Sequence, residues 1–317
     1  MTRIGYFLAS EQHSGPELVE GAVLAERAGF ASIAISDHFH PWLRSQGQSP
    51  FIWGVLGAIA QATTSVEVVT GVVCPIMRIH PVIVAQATAT AQQLLGGRLT
   101  FGIGSGEALN EHILGDRWPA IEVRHAMLEE AMEIVQHLWT GRTLDHHGGY
   151  YTVENARLWT LPESPPRVVM SAFGPKAVAV AARIADGYFG AWAARGLIRR
   201  YRELGGTGPA MGELKVCWHP DEDEAVRIAH RTWRHELISG QHSQDLPTTD
   251  HFEQIAAAVT EETVRESWVC GPDPERHCAA IAEYLDAGYD DVYVMQMGPD
   301  QAGMIDFYAR EVLPAIT

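Results

Sequence analysis

Along the chain, short runs of continuous or alternating apolar residues are each followed by longer runs whose apolar positions recur every three or four residues. This rhythm predicts repeated βα units around a parallel sheet. The first unit is "RIGYFLA" followed by "PELVEGAVLAERAGF". Further strands read "SIAIS", "VEVVTGVVC" and "RLTFGIGSG", separated by helical runs such as "FIWGVLGAIAQATTS" and "PVIVAQATATAQQLLGG". Gly29 and Gly96 stand where a helix C-terminus prefers glycine. After the long helical run "RHAMLEEAMEIVQHLWTG" the pattern breaks. Residues 143–165 alternate around a Gly-Gly pair and predict a β-hairpin with His146 and His147 in its solvated turn. The strands "RVVMSA", "DGYFGAW" and "LKVCWH" follow, then a polar helical stretch from about 222 to 265, then "DDVYVMQM". The pattern predicts an α/β chain of eight strands: one (β/α)8 TIM barrel domain over residues 1–317, with insertions after strands four and seven.

Composition narrows the partners. The 317 residues carry a net charge of −16, which argues against nucleic acid or an anionic membrane, since both require a basic footprint. No apolar run approaches the about 18 residues of a membrane helix. The opening "MTRIGYFLAS" enters a strand without the regions of a signal peptide, so a cytoplasmic location is expected. Cys74, Cys217, Cys270 and Cys278 show no C-x-x-C spacing and are expected to be reduced thiols. Only two lysines occur, Lys176 and Lys215.

In a barrel of this type, chemistry belongs at the C-terminal ends of the strands. "SDHFHPW", residues 36–42, ends strand two, and "GSGEALNEH" ends strand four. His38 and His40, two apart, would share a face on a strand and suggest a metal pair, but "MSAFG" and "FGAWAA" at strands five and six add no ligands, so no metal is expected. The alternative is general acid–base work by His38, with Asp37 as its neighbour and Glu107 at a second strand end. "GIGSG" is too weak to mark a phosphate loop; its glycines would let backbone approach a flat ring. Trp53, Trp192 and Trp218 could line an aromatic pocket or serve as packing.

"SDHFHPW", "QGQSPF", "RIHPVIVAQATAT" and "GSGEALNEH" together resemble the luciferase-like flavin and deazaflavin oxidoreductases, in the branch of the deazaflavin-dependent glucose-6-phosphate and alcohol dehydrogenases. The likeness runs continuously from residue 3 to about 190. It implies a barrel holding coenzyme F420, or FMN, in its mouth. It further implies that His38 takes the substrate hydroxyl proton, Trp42 stabilises developing charge and Glu107 acts as an acid toward the ring. Asp37, Ser105, Gly106 and Asn110 match cofactor-side positions, and a non-proline cis peptide between Gly71 and Val72 would lie under the ring. Ala172, Phe173 and Gly174, in "SAFGPK", would meet the cofactor phosphate. Glu11, Trp192 and Arg195 are the substrate-side candidates, and a homodimer is expected.

Two departures qualify this resemblance. Sugar-phosphate members grip their substrate with lysines after strand six and in the late insertion, whereas this chain has no lysine from 177 to 214 or beyond 215. Arg195 is the nearby cation instead, so glucose 6-phosphate is not the expected substrate. Phe173 is bulky where the dehydrogenases tend to have glycine, which fits an FMN-using subgroup. The leading expectation is hydride transfer between F420 and a hydroxyl or carbonyl compound. The alternatives are an FMN-dependent oxidoreductase or monooxygenase, and a non-catalytic flavin-binding protein.

Overall fold

Alternation along the strands sorts their side chains into two cores, and this sorting is what closes the sheet. The computed structural model describes residues 3–316. Strands one to eight are Arg3–Leu8, Ser32–Ile35, Glu67–Thr70, Leu99–Ile103, Arg167–Ser171, Gly187–Gly190, Ala210–Cys217 and Asp291–Gln296. All pair in parallel, and the ring closes where Phe7 stands opposite Met295 and where Phe189 stands opposite Met211. Phe7, Ala34, Val69, Val169, Phe189, Met211, Tyr293 and Met295 fill the barrel interior. Their sequence neighbours, among them Tyr6, Leu8, Ile33, Ile35, Val68, Val168, Met170 and Tyr188, pack outward against the helices. A period of two on a closed sheet requires this division.

The helices begin and end as their caps dictate. Ser14 and Glu17 form a capping box at the start of Gly15–Ala28, which ends on Gly29 in the left-handed region. Helix Pro81–Leu94 ends at Leu95, and Gly96 follows with φ 60°.

Three boundaries differ from the sequence expectation. Strand three stops at Thr70, the Gly71–Val72 peptide is cis, and Val73 resumes contact through a single bridge to Ile103. Strand seven starts four residues before Leu214, at Ala210. His146 and His147 lie on the strand Leu144–His147 of the hairpin rather than in its turn. His146 Nε2 is 3.0 Å from Glu130, whose carboxylate also accepts from the amides of Gly149, Tyr150 and Tyr151. One glutamate on the preceding helix thus organises the whole turn.

The insertion after strand seven is helical: Glu222–Trp233, a 3-10 turn at Arg234–Leu237, then His242–Asp245, Thr249–Ala256 and Glu261–Ser267. Ala225, Val226, Trp233 and Phe252 join the same apolar cluster as the barrel interior and as Trp42 and Leu109. The insertion therefore caps the C-terminal mouth.

Candidate active site

Residues 36–51 leave strand two without regular structure, so side chains must satisfy their backbone. Gln46 Oε1 accepts from the amides of Trp42 at 2.9 Å and Leu43 at 3.2 Å. Ser49 Oγ donates to the His38 carbonyl at 2.6 Å. Asn110 Oδ1 accepts from the amides of Phe39 at 2.9 Å and His40 at 3.2 Å. Asn110 sits in the short helix Ala108–Glu111 that follows strand four, with Glu107 as its N-cap. The "QGQS" and "GEALNE" segments are thus two halves of one scaffold.

That scaffold fixes His38. With Asn110 Oδ1 occupied by two amides, its Nδ2 faces His38 Nδ1 at 3.0 Å. Nδ1 also lies 3.3 Å from the His40 carbonyl, but the shorter Asn110 contact favours Nδ1 as acceptor with the ring proton on Nε2. Nε2 lies 3.0 Å from Glu11 Oε1 and 4.0 Å from Glu107 Oε2. Glu11 is held in turn by the Ser36 hydroxyl, which donates to Oε2 at 2.6 Å. Burial, together with Glu11, Glu236 and Glu111, pushes the Glu107 carboxyl well above its ordinary range, against the pull of Lys215. Trp42 packs beside His38, ring centroids 5.2 Å apart. His40 turns away onto Phe39 and His112. The histidine pair does not converge because this segment is a loop, where the strand period does not apply. Among the described residues no group of three metal-ligating side chains forms.

Asp37 follows a different course. Its Oδ2 accepts from Arg78 at 2.6 Å, and Arg78 also reaches Glu111 at 3.5 Å. Burial raises the pKa of Asp37 against the Arg78 charge, and burial likewise lifts Glu111 to about 7 despite Arg78. Asp37 Oδ1 is buried with no partner, an acceptor left over for something outside the chain.

The glycines of "GIGSG" do not all face a ligand. A Cβ on Gly102 would stand 1.9 Å from the Thr70 carbonyl oxygen, so that glycine admits the neighbouring strand. Gly106, with φ 78°, turns the chain where a Cβ would meet Cys74 and Glu111. Ser105 is half-buried on this rim and Ala172 is buried at the end of strand five. Asn110, expected against the cofactor, has its side-chain atoms engaged by His38, its loop and Glu107. Gly174 N-caps helix Pro175–Ile184, and nothing lies within 4 Å of where its Cβ would be. Phe173 and Trp192 are both exposed and pack on each other at 5.1 Å. Arg195 is exposed, opening helix Arg195–Glu203. Trp218 stacks on Phe307 in the helical layer, so it is packing rather than pocket.

Sequence reasoning missed a second polar group. Glu213 and Lys215 alternate on strand seven, sharing the interior face with Met211, and Lys215 Nζ lies 2.8 Å from Glu213 and 3.0 Å from Glu236 of the insertion. Burial works against the lysine charge, but the two carboxylates hold its pKa above the ordinary value. Burial brings Glu236 to about 7, with Lys215 opposing and Glu213 and Glu11 adding to it. Two charges at i and i+2 in an otherwise apolar strand, "GELKVC", were the available signal.

The sequence profile of luciferase-like monooxygenases matches residues 2–291. The chain is 33% identical to a Beutenbergia cavernae protein named F420-dependent glucose-6-phosphate dehydrogenase, covering 100% of this chain and 98% of that one. It superimposes with a TM-score of 0.92 on an F420-dependent secondary alcohol dehydrogenase in complex with an F420-acetone adduct, at 31% identity and covering 100% and 99% of the two chains. A coenzyme F420-dependent tetrahydromethanopterin reductase from Methanopyrus kandleri shares the fold at TM-score 0.81 and 20% identity, over 100% and 99% of the chains.

Proposed function

The chain belongs to the luciferase-like monooxygenase family, and we propose that it is a coenzyme F420-dependent oxidoreductase that moves a hydride between the cofactor and a hydroxyl or carbonyl compound. The names of its full-length relatives support this reading. The observation that carries it is His38, held by Asn110 with Nε2 between Glu11 and Glu107 at the strand C-termini.

The residues fit the cofactor. Asp37 Oδ1 is a buried acceptor without a partner, suited to a ring N–H. The open N-terminus at Gly174 presents helix amides to a phosphate. Gly71, Val72, Ser105, Gly106, Ala172 and Phe173 complete the proposed cradle. When bound, the deazaflavin supplies a two-electron hydride acceptor.

The protein then manages protons. In the alcohol-oxidising direction the substrate hydroxyl proton would pass to the hydrogen-bonded His38–Glu11 pair, whose carboxylate raises the basicity of the pair, while the carbon-bound hydrogen leaves as hydride. The Glu11–His38 pair, packed beside Trp42, is neutralised by that proton, and the negative charge would leave with the hydride. Glu107, kept protonated by its surroundings, holds a proton toward the ring. Asn110 fixes His38 and Ser36 fixes Glu11, and the insertion over the mouth would limit the access of water.

A phosphorylated substrate does not suit this mouth. The buried cation is already bonded to two carboxylates, and Arg195 lies exposed. We therefore place glucose 6-phosphate outside the substrate range, although relatives carry its name. Trp192 belongs to the substrate-side rim in this proposal. A homodimer is part of the same proposal, measurable by sedimentation. Among the described residues no helix is long and apolar enough to cross a membrane.

The test is a titration of intrinsic tryptophan fluorescence with F420 and with FMN, followed by anaerobic addition of secondary alcohols to the cofactor complex. F420 should bind at micromolar concentration or tighter, and its visible absorption should bleach with alcohol. Binding of FMN alone, with oxygen consumed during turnover, would replace this reading with a monooxygenase.

A further inference from the structure

The cap over the mouth carries a histidine that the proposed chemistry leaves unused. His235, in the 3-10 turn Arg234–Leu237, is 5% exposed, and neither ring nitrogen has a hydrogen-bond partner. Its ring stacks on Trp42 at 5.2 Å and 24°, on the indole that also packs against His38. Trp233 and Phe252 are its other ring neighbours, and neither supplies a partner to its nitrogens. A buried imidazole with two open nitrogens is costly unless something else completes it. Burial, Lys215 and His38 hold it neutral, with a pKa well below the ordinary histidine value. Neutral imidazole offers one donor and one acceptor: a hydroxyl can bond to either nitrogen, and a carbonyl can accept from the N–H.

The adjoining charges point the same way. Glu213 and Glu236 both contact Lys215, while Glu11 and Glu107 lie within electrostatic reach of Glu236. The buried side chains of Lys215 and Arg78 are both already paired with carboxylates.

We propose that His235 is a specificity-determining residue, binding a second hydroxyl or carbonyl of an uncharged substrate whose reacting hydroxyl lies at His38. The substrate class is a diol or hydroxy-carbonyl compound rather than a phosphate ester or hydroxy acid. This rests on the dehydrogenase reading above. Trp42, stacked on His235 and packed at a tilt against His38, sets the spacing of the two groups.

Two measurements test it. In the first, the protein loaded with reduced F420, which cannot oxidise alcohol, is titrated with 1,2-propanediol or 2-propanol while the 15N signals of the His235 ring are followed. The diol should move them and the monohydric alcohol should not; equal movement, or none with either, overturns the proposal. In the second, His235→Phe keeps the stack on Trp42 but loses both nitrogens. The ratio of kcat/KM for the diol over that for 2-propanol should fall about tenfold, mainly through the KM of the diol, and His235→Asn should restore part of it. An unchanged ratio in a His235→Phe protein with normal melting and F420 affinity would mean that the nitrogens meet only water, and the proposal fails. Wild-type protein that oxidises neither alcohol would count against the dehydrogenase reading instead, and the nitrogen signals, which need no turnover, would still decide this one.

Discussion

The two ends of the barrel treat polar groups in opposite ways. At the N-terminal end of the strands each charge has been given work within the fold. Glu26 accepts from the amides of Thr64, Ser65 and Val66. Arg98 donates to the carbonyls of Thr63, Val66 and Leu95, and Arg3 bridges Glu67 and Asp291. At the C-terminal end, Asp37 Oδ1, Gln46 Nε2 and both nitrogens of His235 are buried without partners. Carboxylates crowd there until Glu107 and Glu111 hold protons above their ordinary range. The charges named at the lower end are satisfied by the chain itself, although Ser32 Oγ is buried there without a partner, whereas the upper end gathers several such atoms around one mouth. This is the division of stability and function expected across a barrel of this type.

Deleting the central group of the upper end should have the largest effect. His38→Ala should lose roughly a hundredfold or more in kcat/KM, the scale of general-base catalysis, with F420 affinity kept. His40→Ala, whose ring faces Phe39 and His112, should lose little. Single-turnover reduction of bound F420 reads both, and an unchanged hydride-transfer rate in His38→Ala would reduce that histidine to a structural role. Next comes Arg78→Met, which strands Asp37 and Glu111 without their cation. Breaking a buried pair costs about 3 kcal/mol or more, so the melting temperature should drop and cofactor binding should weaken together. A melting temperature like wild type would show that the pair contributes nothing net. Glu107→Gln should be smaller, slowing transfer by less than the roughly hundredfold expected for His38→Ala while keeping the shape of the site. Because the Glu107 pKa is raised, wild-type hydride-transfer rate should decline as pH rises through that raised value and the acid is lost. The decline should be absent in Glu107→Gln, and its persistence there would assign the titration to another group.

The lower end was the more legible in sequence, for a physical reason. Strand order, the helix cap at Gly29 and both insertions follow from periodicity, because each reflects local burial. His38, Trp42 and Glu107 were also within reach, since their segments are contiguous and resemble a known family. Contacts made by distant segments were not. Nothing in "GELKVC" or "RTWRHEL" alone says that Lys215 and Glu236 meet at 3.0 Å, or that His235 stacks on Trp42 across almost two hundred residues. The scaffold contacts of Asn110 were not legible for the same reason: its partners include backbone amides of another loop.

The smallest effect belongs to the lower end and isolates it from function. Glu26 has its pKa lowered to about 2, its backbone donors at residues 64–66 outweighing the burial that opposes them. A depressed carboxylate stabilises the fold fully above its unfolded value, and that contribution disappears as pH falls through the folded one. Solvent screens this carboxylate, so Glu26→Gln should cost about 1 kcal/mol at neutral pH. The difference from wild type should shrink as pH drops from 4.5 toward 2, and kcat/KM should be unaffected throughout. Denaturant melts of both proteins at several pH values, with turnover measured at neutral pH, give the two readings. A gap that persists at low pH would show that Glu26 acts through packing rather than charge, and a fall in turnover would break the separation between the two ends.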